Sequence, residues 1–298
     1  MVDATKSPSL SKRAVSQGRL CIALAALLWS TSGAFTKVLT LDTGLGLNTP
    51  KMEPLQIAFY RVLFAGLVFL PMLRRADLSF RPLMLAMAGC FALMNATFVS
   101  AMALGTAANA IVLQYTGPMW MYLASVWWLG EPPDRRSFAA LWIGILGIGI
   151  IVGGGRQETQ LGVIAIALTS GVAYAGVIVF LRVLRDASPR WLTVLNHLAS
   201  ALVLLPWVWY LPLPRPGQFC VLIAYGAVQM ALPYWLMARS LKAVSPQEAG
   251  TISLLEPLLN PLWAYLISGE RPSVYTLWGG VFILGALAWR YWPRKRAA

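Results

Sequence analysis

Charge is what this sequence has least of. Asp, Glu, Lys and Arg together make up 12% of its 298 residues, about half their share in soluble domains. A chain so poor in charge could not cover its surface in water. Histidine occurs once, as His197, and cysteine three times. With one histidine, no HExxH, no Gly-x-Ser-x-Gly and no paired intramembrane carboxylates, hydrolytic or transfer chemistry lacks its parts. No GxxxxGK[ST] loop is present either, which removes ATP as a direct driving force. Cys21, Cys90 and Cys220 are isolated inside apolar runs and form neither a disulfide framework nor a zinc spacing. They read as packing residues. The expectation is no enzyme, no cofactor and no metal.

What fills the sequence instead is apolar: 58% of residues. Stretches of about 17–23 apolar residues recur along the whole chain, the length that crosses roughly 30 Å of hydrocarbon. Read between polar breaks such as Asn48-Thr49-Pro50, Glu131-Pro132-Pro133, Gly153-Gly154-Gly155 and Pro212 to Pro216, they predict an all-α membrane protein. Its ten spans fall at 20–39, 54–73, 83–104, 107–129, 139–155, 161–181, 191–211, 219–241, 246–268 and 274–292.

The net charge is +13, but the basic residues sit in short connections with no aromatic-interleaved basic face, so a nucleic-acid partner is not expected. With the N-terminus inside, eighteen Lys and Arg fall on the cytoplasmic side and five (Lys37, Lys51, Arg156, Arg215 and Arg271) on the other. This bias predicts both termini in the cytoplasm, with the spans in an inner membrane. Trp207, Trp209, Tyr210, Tyr291 and Trp292 lie near span ends, as an interfacial belt would. Residues 1–34 imitate a secretory signal ending in Ser30-Thr31-Ser32-Gly33-Ala34. The apolar pattern resumes from Phe35 to Leu41, and a matching segment recurs mid-chain, so the segment reads as a retained first span.

That recurrence is an internal repeat. Residues 117–131, GPMWMYLASVWWLGE, align without a gap on 256–270, EPLLNPLWAYLISGE, placing Pro118 on Pro257, Gly130 on Gly269 and Glu131 on Glu270. Trp142-Ile143-Gly144 matches Trp278-Gly279-Gly280, Gly18 to Trp29 parallels Gly162 to Ala173, and Pro54 to Pro71 parallels Pro189 to Pro206. Each half then holds five spans. Five is odd, so the second copy enters the membrane from the opposite side, the design of secondary transporters with a midplane site between the halves. The predicted division is a tail at 1–18, a first repeat at 19–155, a second, inverted repeat at 156–292, and a tail at 293–298.

The duplicated Pro…Gly-Glu helix, the Trp-x-Gly segments after it, Trp29 in the first span and Arg61 in the second resemble the drug/metabolite transporter superfamily, specifically its ten-helix EamA-type branch. Within it the chain looks most like the bacterial YddG-type exporters of amino acids. The resemblance implies two inverted five-helix halves around a central cavity that opens alternately inward and outward. Neutral, often aromatic, amino acids and related metabolites are the implied cargo.

Polar groups inside a bilayer are costly, so each is a functional candidate. Ala249, Ser253, Glu256 and Asn260 follow i, i+4, i+7, i+11 and share one face of the ninth span. Their repeat equivalents on the fourth span are Ala110, Gln114, Gly117 and Met121. Either the two stripes line a cavity, or they let helices pack closely. Glu256 lies about 10 residues into its span, roughly 15 Å deep and near the midplane. It pairs with a substrate ammonium, takes up a proton in turnover, or bonds a structural partner such as Arg61. Pro257 and Pro261 weaken the backbone ladder beyond it. Arg61 anchors its helix, snorkels, or binds a substrate carboxylate. His197 lies beside Asn196, the repeat position of Arg61, and is either a proton relay or a satisfied buried histidine.

Asn95 and Phe98 on the third span match Leu232 and Trp235 on the eighth. With Trp29, Tyr115, Tyr174 and Tyr234 they offer aromatic faces with polar tips, suited to a cargo with an apolar side chain and a charged backbone. The alternative is that they pack or face lipid. The candidate substrate site is therefore Trp29, Asn95, Phe98, Gln114, Tyr115, Tyr174, Trp235, Ser253, Glu256 and Asn260, with Arg61 and His197 as structural or coupling groups. Ser245-Pro246-Gln247-Glu248 reads as a capping box opening the ninth span. Glu131 and Glu270 close the fourth and ninth spans on loop backbone. Gly149-x-x-x-Gly153 either dimerises or lets the fifth span pack tightly within the fold.

The expected function is a secondary transporter that exports neutral or aromatic amino acids by alternating access. Export of other small organic compounds or drugs, or sugar-phosphate or nucleotide exchange on the same fold, are the alternatives, and a channel is the reading from a different class. Phosphate cargo calls for several intramembrane Lys or Arg, and Arg61 stands alone. The expected partners are an amino-acid-like small molecule and the lipid bilayer, and nothing requires more than a monomer.

Overall fold

The computed structural model describes residues 12–128, 130, 132–154, 161–184, 186–240, 243–244, 249 and 252–292. Every regular element among them is helical. The first span is α1 (Lys12–Ser30) and α2 (Ser32–Thr40), followed by α3 (Pro54–Phe69) and α4 (Pro82–Leu104). The fourth span is α5 (Ala107–Gln114) and α6 (Gly117–Trp127), and the fifth is α7 (Arg135–Gly154). Then come α8 (Leu161–Val183), α9 (Pro189–Val208), and α10 (Pro216–Ala224) running through a π-helical turn (Tyr225–Ala231) into α11 (Leu232–Ser240). The last two are α12 (Leu255–Ser268) and α13 (Val274–Tyr291). The ten predicted segments are present. Seven are long and apolar enough to cross a membrane unaided, and Val274–Arg290 is a shorter apolar helix. The remaining two, the fourth and the ninth, are the repeat-equivalent pair, and both are interrupted. The predicted capping box at 245–248, and Glu131, lie outside the described residues.

Local chemistry explains the boundaries. Pro54, Pro82, Pro189 and Pro216 each stand at the start of a helix, where the missing amide hydrogen costs nothing. Thr106 and Ser273 cap α5 and α13 by accepting from Asn109 N at 3.2 Å and Thr276 N at 3.1 Å. Asp134 accepts from Ser137 N at 2.9 Å, so α7 begins at Arg135 rather than at the apolar run from 139. Hydropathy marks only the part of a helix that meets lipid. Gly269, at φ +69°, ends α12 in the left-handed conformation that glycine adopts without strain.

Large apolar side chains point outward, among them Leu20 and Leu24 on α1, Trp142 and Leu146 on α7, and Trp278 and Val281 on α13. Polar ones, including Arg61, Asn95, Ser200 and Asn260, are buried. That inversion suits hydrocarbon as the solvent. The packing pairs are equivalent in the two halves. α1 lies on α11 and α12, and α8 lies correspondingly on α4, α5 and α6. α3 packs on α9 and α7 on α13, each pair joining equivalent spans. At the α7–α13 crossing, a Cβ on Gly147 would meet the Gly279 carbonyl at 2.7 Å, so the backbones touch there. Gly149 and Gly153 have nothing within 4 Å, which corrects the expectation that they pack tightly within the fold. At about 100° per residue, Gly149 is turned away from the contact that Gly147 makes.

Connections tie the bundle at both ends. At the end bearing the described termini, Ser188 Oγ donates to Asp77 at 2.7 Å and Trp191 bonds Ser79 O, joining the second–third and sixth–seventh loops. The Ser188 hydroxyl and then the Arg74 amide hold the Asp77 carboxyl below its ordinary range, so this clasp persists at neutral pH and is lost only in stronger acid. At the opposite end Gln218 donates to Leu47 O and Pro50 O, each at 2.8 Å, and Gln56 to Pro212 O at 2.7 Å, joining the first–second and seventh–eighth loops.

Candidate functional site

The interruptions of the fourth and ninth spans have the same cause. Proline lacks an amide hydrogen and its ring presses on the carbonyl four residues back. Pro118 and Pro257 therefore disturb the carbonyls of Gln114 and Ser253, and the helices break at Tyr115-Thr116 and at Leu254. The freed Ser253 carbonyl accepts from the Tyr115 hydroxyl at 3.0 Å, and the same hydroxyl lies 2.8 Å from Glu256 Oε2. The two broken spans are thus joined at their breaks. Leu255, Leu258, Leu262 and Tyr265 mark the lipid face of α12. Glu256 is turned away from that row and is partly buried.

A third interruption lies in the first span. Ser30 and Thr31 direct their hydroxyls back to Leu27 O and Leu28 O, both at 2.6 Å, a local bond that competes with the helical ladder. The chain bends there between α1 and α2. The eighth span supplies the replacement bonds: Gln229 Nε2 donates to Trp29 O at 3.1 Å and the Tyr225 hydroxyl to Ser32 O at 3.1 Å. Both side chains come from the π-helical turn. That turn has its own proline: Pro233 cannot bond the Gln229 carbonyl, and just before it Leu232 N bonds Ala227 O, five residues back. Asn260 donates to Ser32 Oγ and Trp263 Nε1 to Ser30 Oγ, both at 2.8 Å, so α12 also docks on the bend.

Arg61, 2% exposed, sits at the hub. Its Nε donates to Asn95 Oδ1 at 2.7 Å, and Asn95 is itself held by Ala58 O at 3.0 Å. Its Nη1 donates to the Tyr225 hydroxyl at 3.0 Å, which also meets Thr36 Oγ1 at 3.0 Å. The rings of Phe98 and Tyr225 lie 5.7 and 5.2 Å from the guanidinium carbon. Tyr234 meets Trp29 edge-on at 5.3 Å and His197 at 5.5 Å. Asn260 Oδ1, Gln229 Oε1 and His197 Nε2 are buried polar atoms with no hydrogen-bond partner among the described residues.

At one end of this region the spans are tied together. Lys37 Nζ on α2 pairs with Glu270 Oε2 at 2.7 Å and donates to Gly105 O at 2.7 Å. Glu270 Oε1 accepts from Ala107 N at 2.7 Å. The ends of the first, third, fourth and ninth spans are thereby locked together, and Glu270 bonds loop backbone as expected, although of another span.

The structure gathers most of the predicted residues and separates a few. Tyr115, Ser253, Glu256 and Asn260 cluster at the breaks, with Trp29 on Tyr234 beside them. Asn95 and Phe98 are buried around Arg61, as its frame. Gln114 is partly buried at the first break, and Tyr174 packs its ring on Gly117. His197 bonds Thr193 O through Nδ1 at 2.8 Å. Glu256 and Arg61 form no ion pair among the described residues. Trp235 is 38% exposed and stacks on Arg239, also exposed, so it does not join the cluster and its neighbour Tyr234 does. The π-helical turn inserts an extra residue and rotates the remainder of the span by about 100°, which periodicity could not register. Tyr225, Gln229, Ser32 and Lys37 were missed. Gln229 was legible as a lone amide in an apolar run, four residues before a proline.

Ten apolar segments, three interrupted near a buried polar region, define a multi-pass helical membrane protein of the carrier type. The EamA-like transporter family matches the chain twice, over residues 16–153 and 161–291, and the chain belongs to this family. It is similar to an "Uncharacterized transporter" of Archaeoglobus fulgidus, at 30% identity over 93% of this chain and 98% of that one. It is also similar to the "Pseudopaline exporter" of Pseudomonas aeruginosa, at 26% identity over 78% of this chain and 84% of the relative. A solved crystal structure shares the fold, with a TM-score of 0.62 at 19% identity over 92% of this chain and 97% of its own. The protein is a membrane transporter, with the bilayer as its medium and a small molecule as its substrate.

Proposed function

We propose that this protein exports neutral and aromatic amino acids, or closely related amphoteric metabolites, across a bacterial inner membrane. Two inverted five-helix halves alternate access to a site between the broken fourth and ninth spans. The observation that carries the reading is the Tyr115–Glu256 contact, which joins the equivalent breaks of the two halves at 2.8 Å. Broken helices at a repeat interface supply a carrier with both ligands and hinges. Glu256 suits a substrate ammonium, and the Trp29–Tyr234 pair offers an aromatic surface. A relative named for export supports the outward direction. Phosphate cargo fits less well, because Lys37 is already committed to Glu270 and Arg61 is the cation left at the hub.

Purified protein in liposomes is expected to exchange labelled Trp, Phe, Met or Thr across the bilayer. Flux indistinguishable from empty vesicles across that panel removes the amino-acid reading.

A further inference from the structure

Arg61 has a frame but no ion-pair partner among the described residues. It is 2% exposed, and its guanidinium keeps its charge under all ordinary conditions. Its hydrogen-bond partners, Asn95 and Tyr225, are neutral, and so are the two rings that flank it. Among the described residues no carboxylate lies within ion-pair distance of it. Lys37, the other buried cation, is treated differently, with Glu270 at 2.7 Å. A buried charge left uncompensated is unfavourable, so its persistence calls for an anion that comes and goes.

The frame also fixes the direction in which Arg61 acts. Asn95 is oriented by Ala58 O and holds Nε, and the Tyr225 hydroxyl, which donates to Ser32 O, accepts from Nη1. Two of the five N–H bonds are used. Nη2 makes no hydrogen bond among the described residues. The edge between Nη1 and Nη2 is the one that matches the two oxygens of a carboxylate.

We propose that Arg61 is the carboxylate-binding residue of the transport site, framed by Asn95 and Tyr225. The cargo then lies with its carboxylate on Arg61 and its ammonium toward Glu256, one helical turn before Asn260, which meets Ser32 beside Tyr225. This inference rests on the carrier reading above and names the group that reading leaves unassigned. It also makes Tyr225 a shared member: one hydroxyl touches Arg61 and, through Ser32 and Thr36, the α2 segment that carries Lys37.

The test compares cargo with and without the carboxylate, using full-length protein in proteoliposomes and ligand-induced thermal shifts in detergent. Trp and Phe are set against tryptamine and phenethylamine, which keep the ring and the ammonium. Wild-type protein is expected to move and bind the amino acids at least tenfold better than the amines. Asn95→Asp places a carboxylate where Asn95 Oδ1 already bonds Arg61, so it keeps that contact and occupies the charge, while giving up the bond that Asn95 Nδ2 donates to Ala58 O. It is expected to remain folded, with a single cooperative melting transition, and to lose amino-acid binding at least tenfold. A purely structural Arg61 would tolerate that change without loss of binding. Amines handled as well as amino acids, or Asn95→Asp binding amino acids as wild type does, overturns the assignment and leaves the carrier reading standing. No flux or thermal shift from any member of the panel overturns both.

Discussion

At the residue scale, the Tyr115 hydroxyl has one hydrogen and two acceptors in Ser253 O and Glu256 Oε2. One hydrogen serves one of them at a time, and both contacts are filled together when Glu256 brings a proton of its own. This makes Glu256→Gln an informative change, because the amide donates where a protonated acid would and preserves the bridge. The variant is expected to express and melt like the wild type, while its flux loses the pH dependence that the acid confers. Flux from the variant that still follows the wild-type pH profile would remove the acid from the transport cycle. Tyr115→Phe acts differently: it strands the Ser253 carbonyl and Glu256, at an expected cost of about 1–3 kcal/mol in thermal stability.

At the element scale, the π-helical turn of the eighth span is the part most finely fitted to its neighbours. A Cβ on Gly226 would meet the Arg61 carbonyl and Phe64 Cβ, both at 2.7 Å, and backbone cannot give way as a flexible side chain can. Gly226→Ala therefore pushes the turn off α3 and carries Tyr225 away from Arg61 and Ser32. The expected destabilisation is about 1–3 kcal/mol, with loss of transport. Gly149→Ala is the control, since nothing lies within 4 Å of the added methyl, and it is expected to melt at or slightly above the wild-type temperature. Thermal melts of the two variants in one detergent decide the matter. Equal melting temperatures would mean that the turn is not the tight contact its geometry indicates.

At the scale of the whole molecule, the Lys37–Glu270 pair is what holds four span ends together. Its burial makes it costly to leave half-made: removing one partner of a buried pair typically costs about 3–5 kcal/mol. Under the alternating access proposed above, opening at this end separates these groups in every cycle, so each single neutralisation weakens closure. Glu270→Gln is expected to increase labelling, by a membrane-impermeant thiol reagent, of a cysteine placed at Ala110 in a background without the native cysteines. Lys37→Met is expected to do the same, and combining the two should not add their effects. Labelling unchanged from the unmodified pair would show that closure rests on other contacts. The termini-end clasp of Asp77, Ser188 and Trp191 joins loops rather than the broken spans.

The sequence by itself determined the ten segments, the recurring Pro…Gly-Glu pattern, and the proline that weakens the ninth span after Glu256. Hydrocarbon thickness and hydropathy act along one dimension, and a proline disturbs its helix wherever that helix packs, so these features are local and can be read from the chain. Only the tertiary structure decided who meets whom. It gave Asn95 to Arg61, exchanged Trp235 for Tyr234, and brought Lys37 onto Glu270. The Ser30-Thr31-Ser32 stretch, which imitates a cleavage site in sequence, became the bend on which the eighth and ninth spans dock. Contacts of this kind depend on the rotation and depth of each helix against its neighbours. A single inserted residue in a π-helical turn changes that rotation by about 100° while leaving the hydropathy unaltered.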